Sequence, residues 1–459
     1  MELNNKKVLV IGLGISGIST IKALHKLGAQ ISISDTKEES QLRDILQEIS
    51  YIKFESYFNT DITDICAYDF IIKSPGIPPN AKLIQKALEN NVEVIGDIEL
   101  AYRISASENL IAITGTNGKT TTTTLVGEIF KANNLNTYLA GNIGIGILEN
   151  ITIAKTEDVF VIETSSFQLE HTKQFKPKVS LILNISPDHI NWHGSYENYI
   201  NSKLKIFQNQ DYNDYLILNY DDEILRNIKA STNIIWFSTK TILESGIFID
   251  GEDIVIKYGN YNLKYMNYNK LLVKGMHNLE NVLGSIGISI AMELNLDLVK
   301  KAILKFKGVE HRLEFVCSFK GLNFYNDSKG TNPESTIKAI ESFDEPIILI
   351  AGGYSKDSEF DKLILSFNNK VKALILLGET KEQIKLTAHE YNYNSVYTVE
   401  DMDQAVTLAY KLGEKGDNIL LSPACASWDM YNNFEERGLH FKSIVNRLRE
   451  DYNGEIKKE

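Results

Sequence analysis

The sequence has few cysteines and no long apolar segment. Its three cysteines, Cys66, Cys317 and Cys425, lie far apart in 459 residues, so they offer neither a Cys-x-x-Cys metal site nor a paired disulfide framework. This usage fits a reducing compartment. No apolar run reaches the ~18 residues of a membrane-spanning helix. We therefore predict a cytoplasmic protein that does not act at a membrane.

Positively charged residues are also fewer than negatively charged ones. Lys and Arg total 48 against 60 Asp and Glu, which gives a net charge of −12. A surface with this excess repels nucleic-acid phosphates and anionic membranes. We expect small-molecule substrates and no nucleic-acid partner. Because the net negative charge of the protein does not attract an anionic substrate, such a substrate has to be bound by local groups in its site.

Short apolar runs alternate with helical patterns along most of the chain, which is typical of a parallel sheet built from βαβ units. The runs fall at residues 8–11, 31–34, 70–72, 110–113, 159–162, 179–183, 346–351, 371–377 and 419–421. The pattern restarts near residues 97 and 309, and a length of 459 residues suggests about three domains at roughly 150 residues each. Between residues 212 and 274 it weakens, and we expect an irregular, partly β region there.

A glycine-rich motif, Gly-Leu-Gly-Ile-Ser-Gly, occupies residues 12–17 between a predicted strand and a predicted helix. These glycines let the backbone turn tightly and approach a diphosphate at the helix N-terminus. Asp35 ends the next predicted strand, where an acid commonly binds a ribose hydroxyl. Taken alone, the motif favours NAD binding, and a glycine turn without a ligand is the alternative.

A second glycine-rich motif, Gly-Thr-Asn-Gly-Lys-Thr-Thr, occupies residues 115–121, again between a strand and a helix. Backbone N–H groups of such a loop cradle phosphates, Lys119 neutralises their charge, and Thr120 can reach a magnesium ion. The usual pattern has Gly six positions before the Lys, where this chain has Ile113. The motif is a shortened P-loop and predicts binding of a nucleoside triphosphate.

The two loops differ in chemistry. The first has no lysine and no metal-directed hydroxyl, so it can hold a diphosphate without activating it. The second has both and can drive cleavage of a triphosphate. One nucleotide would be carried and another consumed, which neither a dehydrogenase nor a simple kinase requires.

Polar residues after the next strands of the second unit complete a candidate site. Glu163 follows the run at 159–162, where a carboxylate can hold magnesium beside a P-loop. His189, in a Ser-Pro-Asp-His segment, is a candidate base. Asn278 and Asn281 have i, i+3 spacing and would share one helix face.

Together, these and further motifs resemble the Mur ligase family across nearly the whole chain. The resemblance rests on residues 115–121, 141–144, 163–170, 187–189, 277–281, 310–314 and 326–329. Residues 12–19, 74–77, 422–427 and 433–438 resemble the members that add D-glutamate to UDP-N-acetylmuramoyl-L-alanine.

The resemblance implies an α/β fold of three domains: a Rossmann-like domain at residues 1–98, a central P-loop ATPase domain at 99–308 and a Rossmann-like C-terminal domain at 309–459. It implies ATP and Mg²⁺, with two ions expected, and an acyl-phosphate intermediate. UDP-N-acetylmuramoyl-L-alanine and D-glutamate are the implied partners. We also expect a monomer.

The resemblance assigns roles residue by residue. Substrate binding falls to Ile15, Ser16, Asp35, Thr36, Gly76 and Asn142 for the uridine-linked substrate, and to Thr331, Lys356, Ser427 and Phe434 for D-glutamate. ATP binding falls to Gly115, Thr116, Asn117, Gly118, Lys119, Thr120, Thr121, Asn281, Arg312 and Asp327. The metal ligands would be Thr120, Glu163, His189 and Lys203 as a carbamate, and the catalytic residues Lys119, Glu163, His189 and Lys203.

Three alternatives remain at this point. An NAD-dependent dehydrogenase explains residues 12–17 and Asp35 but leaves Lys119 without a role. A folate polyglutamate ligase shares the P-loop but lacks the N-terminal diphosphate-binding domain. A nucleotide-gated binding protein would bind ATP without substrate-dependent ADP release.

Overall fold

The computed structural model describes residues 1–142, 146–273, 275–354 and 359–456, which fold around three β-sheets. The chain divides into two units, one of Met1–Asn269 with Glu280–Ile303 and one of Lys270–Leu279 with Leu304–Glu459. Within the described ranges, none of the helices has the length and apolarity that crossing a membrane requires.

The first sheet lies in the first unit. Its strands are β1 (Lys7–Ile11), β2 (Gln30–Asp35), β3 (Phe54–Phe58), β4 (Phe70–Lys73) and β5 (Glu93–Ile95). Its helices are α1 (Ile15–Lys26), α2 (Arg43–Glu48), α3 (Lys82–Glu89) and α4 (Asp97–Ile104). All strands are parallel, in the order β3-β2-β1-β4-β5. The strands predicted at 8–11, 31–34 and 70–72 are confirmed.

Helix α1 approaches the end of β1 very closely. A Cβ atom added at Gly17 would lie 2.0 Å from the carbonyl oxygen of Gly12, and Gly12 itself has a φ of +89°. Only glycines allow this turn and this contact. The first glycine motif therefore does shape a tight strand-to-helix turn.

The second sheet, in the same unit, begins with the strands around the P-loop. They are β6 (Asn109–Thr114), β7 (Thr137–Gly141), β8 (Val159–Glu163) and β9 (Val179–Ile182). The helices here are α5 (Lys119–Ala132), α6 (Ile147–Ile151), α7 (Ser166–Leu169), α8 (Ile190–His193) and α9 (Tyr196–Leu204). These four strands are parallel, and β6 lies between β8 and β9. The carboxyl ends of β6, β8 and β9 therefore meet at one edge of the sheet.

Five further strands extend this sheet: β10 (Tyr215–Asn219), β11 (Asn233–Ser238), β12 (Gly246–Asp250), β13 (Asp253–Tyr258) and β14 (Tyr261–Asn267). Helix α10 (Glu223–Arg226) precedes β11, and α11 (Met276–Ala291) and α12 (Leu296–Lys305) follow β14. The strand order is β14-β13-β12-β11-β10-β9-β6-β8-β7, and the pairs β12–β13 and β13–β14 are antiparallel. The expectation of β-structure at 212–274 is confirmed, but the expectation that the region is irregular was wrong, because five strands follow one another there. Exposed polar residues on the last strands hide their periodicity, because antiparallel edge strands have one face in water.

Helix α4 is bound to the loop before β9 through one buried carboxylate. Glu99 is fully buried and accepts hydrogen bonds from the backbone N–H groups of residues 173, 174 and 175 at 2.8–3.1 Å. Arg103 Nε donates to the same carboxylate at 2.7 Å. Four donors on one buried acceptor make α4 part of the second sheet's surroundings.

The third sheet forms the core of the second unit. Its strands are β15 (Glu314–Phe319), β16 (Leu322–Asn326), β17 (Ile347–Ala351), β18 (Val371–Leu376), β19 (Val396–Thr398) and β20 (Asn418–Leu421). Its helices are α13 (Pro333–Glu341), α14 (Asp361–Leu365), α15 (Lys381–Glu390), α16 (Met402–Leu412) and α17 (Phe434–Ile456). The order is β15-β16-β20-β17-β18-β19, with only the β15–β16 pair antiparallel. The carboxyl ends of β16, β17 and β20 thus lie side by side.

Candidate functional site

The P-loop folds back on its own lysine. Lys119 begins α5, and its Nζ atom donates to the carbonyl oxygens of Gly115 and Thr116, both at 2.8 Å. Gly118 precedes the helix with a φ of +83°, a conformation that favours glycine. Thr120 and Thr121 follow in the first helical turn, where unpaired N–H groups and the helix dipole favour an anion.

Hydrogen bonds to the loop after β9 hold the P-loop in place. Asn117 N–H donates to Asn184 Oδ1 at 2.9 Å. The Oγ1 atom of Thr116 accepts from Ser186 N–H at 3.0 Å and lies 2.9 Å from the Tyr199 hydroxyl. The loop therefore keeps its shape through side chains as well as glycines.

Asn281 on α11 lies against the P-loop. Its Oδ1 atom would be 2.3 Å from a Cβ atom at Gly118, so only glycine fits opposite it. Asn281 is buried, and so is Asn278 one turn earlier in the helix. The structure thus brings Asn281 to the predicted nucleotide loop within the first unit.

Glu163 ends β8 as a buried carboxylate, with 1% of its surface exposed. Its Oε1 atom accepts from Asn142 Nδ2 at 3.0 Å, whereas Oε2 has no hydrogen-bond partner among the described residues. A buried carboxylate oxygen without a partner is costly unless a cation or a donor meets it.

Lys203 is buried beneath the P-loop. Only 1% of its surface is exposed, and its Nζ atom donates to the carbonyl oxygen of Gly115 at 2.8 Å. Burial, and then the charge of Lys119, lowers the pKa of Lys203 well below its ordinary value. The lowered pKa favours the neutral amine, which is the form that can react as a nucleophile.

His189 stands at the rim of this site and is about half exposed. It caps the start of α8 with a φ of 52°, and its ring lies 4.8 Å from that of Phe167. Its Nε2 atom is 3.5 Å from Asp188 Oδ2. The ring is accessible to a ligand from solvent.

The residues present fit magnesium bound together with a nucleotide. Within the described ranges, no three His, Cys, Asp or Glu side chains lie close enough to hold a metal by themselves. Magnesium commonly uses one or two protein ligands and completes its shell with water and phosphate oxygens. The unpartnered Oε2 of Glu163, beside a loop shaped for phosphates, suits that mode.

The predicted contacts for the uridine-linked substrate surround the turn after β1. Ile15 and Gly76 are exposed there. Asp35 Oδ2 accepts from the N–H of Leu13 at 2.9 Å, and its Oδ1 from the N–H of Lys37 at 3.0 Å. Asp35 thus stabilises the glycine turn. Thr36 is also exposed beside it, and Ser16 is half-buried.

Lys73 is a buried residue of this region that sequence reasoning missed. It ends β4 with 1% of its surface exposed, and its Nζ atom donates to the carbonyl oxygens of Ile77, Ser74 and Pro75 at 2.7, 3.3 and 3.5 Å. Burial lowers the pKa of Lys73 to about 8. Its lysine follows two isoleucines in an apolar run, a position that gives no signal of function.

The second unit holds its own cluster of predicted residues. Asp327, at the end of β16, accepts from Ser422 Oγ at 2.6 Å and from the N–H of Leu313 at 3.1 Å, and burial raises its pKa to about 6. Arg312 is half-buried. Thr331 is half-buried, Ser427 is buried, and Phe434 begins α17. Lys356 lies outside the described residues.

Arg437 ties these segments together. It is buried and donates to the carbonyl oxygens of Ser328, Cys425 and Ala426 at 2.8–3.1 Å, and to Ser328 Oγ at 3.0 Å. Burial lowers its pKa to about 10. Sequence reasoning placed it in a family motif without a role. The feature of the sequence that could have identified Arg437 is a charged residue close to the apolar face of a helix.

Comparison with known proteins assigns the chain to a family. Three family domains match in order: "Mur ligase MurD-like, N-terminal domain" at residues 6–96, "Mur ligase middle domain" at 113–289 and "Mur ligase, glutamate ligase domain" at 311–425. The UDP-N-acetylmuramoylalanine–D-glutamate ligase of Clostridioides difficile is 46% identical over 98% of this chain and 100% of its own length. The chain belongs to the Mur ligase family. A second relative of the same name, from Thermoanaerobacter, is 44% identical over the same shares.

Solved structures of Mur ligases share the fold. UDP-N-acetylmuramate-alanine ligase MurC from Thermotoga maritima aligns over 97% of this chain and 100% of its own with a TM-score of 0.58 at 19% identity. MurF ligase from the same organism, solved with ADP, aligns over 91% and 96% with a TM-score of 0.56 at 17% identity. The predicted α/β fold of three domains is confirmed. As a Mur ligase, the chain is an ATP-dependent enzyme of peptidoglycan precursor synthesis that uses Mg²⁺.

Proposed function

We propose that this Mur ligase joins D-glutamate to UDP-N-acetylmuramoyl-L-alanine and releases ADP and phosphate. The proposal is supported by full-length relatives of that name. The observation that carries it is the site around Gly115, where a phosphate loop, an unpartnered buried carboxylate oxygen and a buried lysine of lowered pKa meet at one edge of a sheet.

The reaction has two balanced steps. A carboxylate oxygen of the acceptor attacks the γ-phosphorus of ATP, and the bond to the β-phosphate oxygen breaks to release ADP. The amine nitrogen of D-glutamate then attacks the acyl carbon, phosphate leaves, and the amine gives up a proton as the amide forms. Both steps need stabilised negative charge and an acyl phosphate protected from water.

ATP would lie along the P-loop. Lys119 exchanges its two carbonyl acceptors for phosphate oxygens, and the N–H groups at the start of α5 hold the same phosphates. Residues 115–121 and Asn281 contact the nucleotide from the first unit. Arg312 and Asp327 are the nucleotide contacts that we propose in the second unit. Asp327 accepts from Ser422 at Oδ2 and from the Leu313 N–H at Oδ1, and a carboxylate oxygen has a second lone pair for a further donor.

Lys203 would act as a carbamate. Its neutral nitrogen attacks carbon dioxide, a C–N bond forms, and a proton is released to give an anion. The shared acceptor at Gly115 and the depressed pKa support this chemistry. The carbamate would serve with His189 at one of two magnesium ions, and Thr120 and Glu163 would serve at the other. Bound magnesium would neutralise phosphate charge.

The uridine-linked acceptor would bind the first sheet. Ile15, Ser16, Asp35, Thr36 and Gly76 surround the tight turn at the helix N-terminus, and Asn142 reaches the acceptor from beside Glu163. Asp35 contributes chiefly by holding the turn through the Leu13 N–H.

D-Glutamate would bind the second unit. Thr331, Ser427 and Phe434 lie on segments held by Arg437 and Ser328. Lys356 would be the counter-ion for a substrate carboxylate. We further propose domains at 1–98, 99–308 and 309–459, and a monomeric, cytoplasmic enzyme. All three cysteines are free thiols, which supports a reducing compartment.

An ADP-release assay tests the proposal. The enzyme is mixed with ATP, Mg²⁺, UDP-N-acetylmuramoyl-L-alanine and one amino acid from a panel that includes both enantiomers of glutamate and aspartate. We expect release only with ATP, acceptor and D-glutamate together. Release that ignores the acceptor, or equal rates with other amino acids, would contradict the assignment. Fluorescence titration with NADH serves as the control for the dehydrogenase alternative.

A further inference from the structure

His193 is a buried histidine that the proposed reaction does not use. It ends α8, with 8% of its surface exposed. Both ring nitrogens have partners: Nε2 lies 3.0 Å from Ser166 Oγ, and Nδ1 lies 3.3 Å from Ser202 Oγ. A histidine held from both sides has a fixed ring orientation and tautomer.

The direction of these hydrogen bonds follows from Glu170. Ser202 Oγ makes a short contact with Glu170 Oε2, and Lys205 Nζ lies 2.9 Å from Glu170 Oε1. The carboxylate can only accept, so Ser202 donates its single hydroxyl hydrogen there. The carbonyl of Asn198, 2.9 Å from Ser202 Oγ, is the weaker, uncharged acceptor.

The rest of the chain of hydrogen bonds is then determined. Because the Ser202 hydrogen points to Glu170, Ser202 Oγ accepts from His193 Nδ1–H. The other ring nitrogen, Nε2, carries no hydrogen and accepts from the Ser166 hydroxyl. We call Ser166, His193, Ser202 and Glu170 the serine–histidine relay.

The relay connects two proposed metal ligands. Ser166 begins α7, three residues after Glu163, and Ser202 immediately precedes Lys203 on α9. The only side chain that hydrogen-bonds both serines, among the described residues, is His193. A shift of its ring would therefore move the ends of β8 and α9 relative to each other.

Aromatic packing fixes the ring of His193 in its plane. It stacks on Phe167 with centroids 5.6 Å apart and planes 8° apart, and Tyr199 meets it edge-on at 5.4 Å. Tyr199 also reaches the P-loop through the Thr116 Oγ1 atom at 2.9 Å. Packing alone would be satisfied by a phenylalanine, whereas the two hydrogen bonds require imidazole.

We propose that His193 is a positioning residue that sets the separation between the Glu163 carboxylate and the carbamate on Lys203. The inference rests on the proposed function, because it assumes that both groups serve the metal site. Partners behind metal ligands orient those ligands, and their loss typically weakens metal binding by about 10–100-fold.

Three substitutions of His193 and one of each serine separate the two halves of the relay. His193→Phe keeps the ring and removes both hydrogen bonds. In His193→Asn, the side-chain amide nitrogen can lie near the Nδ1 position and donate to Ser202. In His193→Gln, the side-chain amide oxygen can lie near the Nε2 position and accept from Ser166. Ser166→Ala and Ser202→Ala remove one hydroxyl each without changing the ring. His389→Phe, on the exposed face of α15, is the matched control.

Two measurements test the carbamate on Lys203 and the metal site separately. The carbamate is detected by ¹³C NMR after incubation with ¹³C-bicarbonate, and Lys203→Met identifies its signal. The magnesium concentration for half-maximal ADP release reports on the metal site. We expect His193→Phe to lose the carbamate signal at limiting bicarbonate and to require about 10-fold more magnesium. His193→Asn should keep the carbamate, and His193→Gln should lose it.

The inference and the proposed function fail differently. If wild-type enzyme shows neither carbamate nor D-glutamate-dependent ADP release, the proposed function is wrong. If wild-type enzyme shows both, and His193→Phe and Ser202→Ala match it in carbamate signal and magnesium requirement, the positioning role is wrong. Thermal unfolding checks that each variant is folded. Should His193→Phe not fold, the two serine variants decide the question.

Discussion

Lys119 and Lys203 share one acceptor: the carbonyl oxygen of Gly115 lies 2.8 Å from the Nζ atom of each lysine. Two ammonium groups held this close would repel each other in a site with little water. Lys203 is the more buried of the two, and its pKa falls through burial and through the charge of Lys119. In this pair Lys119 is the cation for phosphate, and the lowered pKa of Lys203 favours its neutral amine.

The buried amine of Lys203, with its lowered pKa, predicts a carbamate. We expect Lys203→Ala to reduce turnover at least about 100-fold, because the variant has no nitrogen to carry the anion. Short-chain carboxylates such as acetate should restore part of the activity by occupying the vacated position. Lys229→Ala, an exposed lysine of the same sheet's surroundings, is the control and should keep wild-type turnover. A lack of rescue would remove the support for a carbamate.

The cation of the pair predicts the behaviour of the P-loop. Lys119→Ala should lower ADP release by roughly 100-fold or more, because phosphate charge in the reaction loses its nearest protein cation. Lys131→Ala, at the opposite end of the same helix, should behave as wild type, since Lys131 is exposed and forms a surface ion pair with Glu128 at 3.3 Å. Full turnover by Lys119→Ala would contradict the P-loop assignment.

Two glycines of the first motif should tolerate alanine differently. Gly17→Ala places a Cβ atom 2.0 Å from the Gly12 carbonyl oxygen, so we expect a loss of roughly 1–3 kcal/mol in stability. Gly14→Ala meets nothing within 4 Å and should change stability by less than about 0.5 kcal/mol. Denaturation of both variants measures the difference. Equal stabilities would contradict the close approach of α1 to β1.

Arg437 should control the affinity for D-glutamate. Arg437→Lys keeps a positive charge but cannot reproduce the forked contacts to Ser328, Cys425 and Ala426. We expect KM for D-glutamate to rise about 10-fold, equivalent to about 1.4 kcal/mol, with a smaller change in KM for ATP. Arg447→Lys, an exposed position on the same helix, is the control. An equal rise in both KM values would indicate a general loss of structure.

Lys73 predicts a pH dependence of stability. Its pKa of about 8 in the folded protein lies below the ordinary 10.5 of the unfolded chain. Between these values the unfolded state binds more protons, so stability rises with pH; below pH 8 both states are protonated and the slope vanishes. Relative to Lys73→Met, the wild type should gain roughly 1–2 kcal/mol between pH 8 and 9.5. A constant difference in unfolding free energy across this range would contradict the buried cation.

Contiguous features were predictable from the sequence. The strand predicted at 110–113 matches β6, and the helix predicted after the P-loop matches α5, because the P-loop places its glycines and lysine between two strongly patterned elements. The structure also places Glu163 at the end of β8, where the pattern put it.

Features assembled from distant segments were not predictable. Ser166, His193 and Ser202 come from three helices, and no local pattern marks them as neighbours. Lys73 lies in an apolar run, and its burial shows only when the carbonyls of the following turn enclose it. Such sites depend on tertiary packing, which a reading of local periodicity does not include.

The anchoring of Glu99 decides where this enzyme can be divided. The Glu99 carboxylate accepts hydrogen bonds from three consecutive N–H groups at residues 173–175. Helix α4 is therefore attached to the second sheet, although it follows the strands of the first sheet in the chain. Any swivel of the first sheet has to occur upstream of this helix, near Gly96. A recombinant fragment that starts at residue 109 would leave those three N–H donors without the Glu99 carboxylate. A fragment that starts before Asp97 would keep Glu99 and these hydrogen bonds.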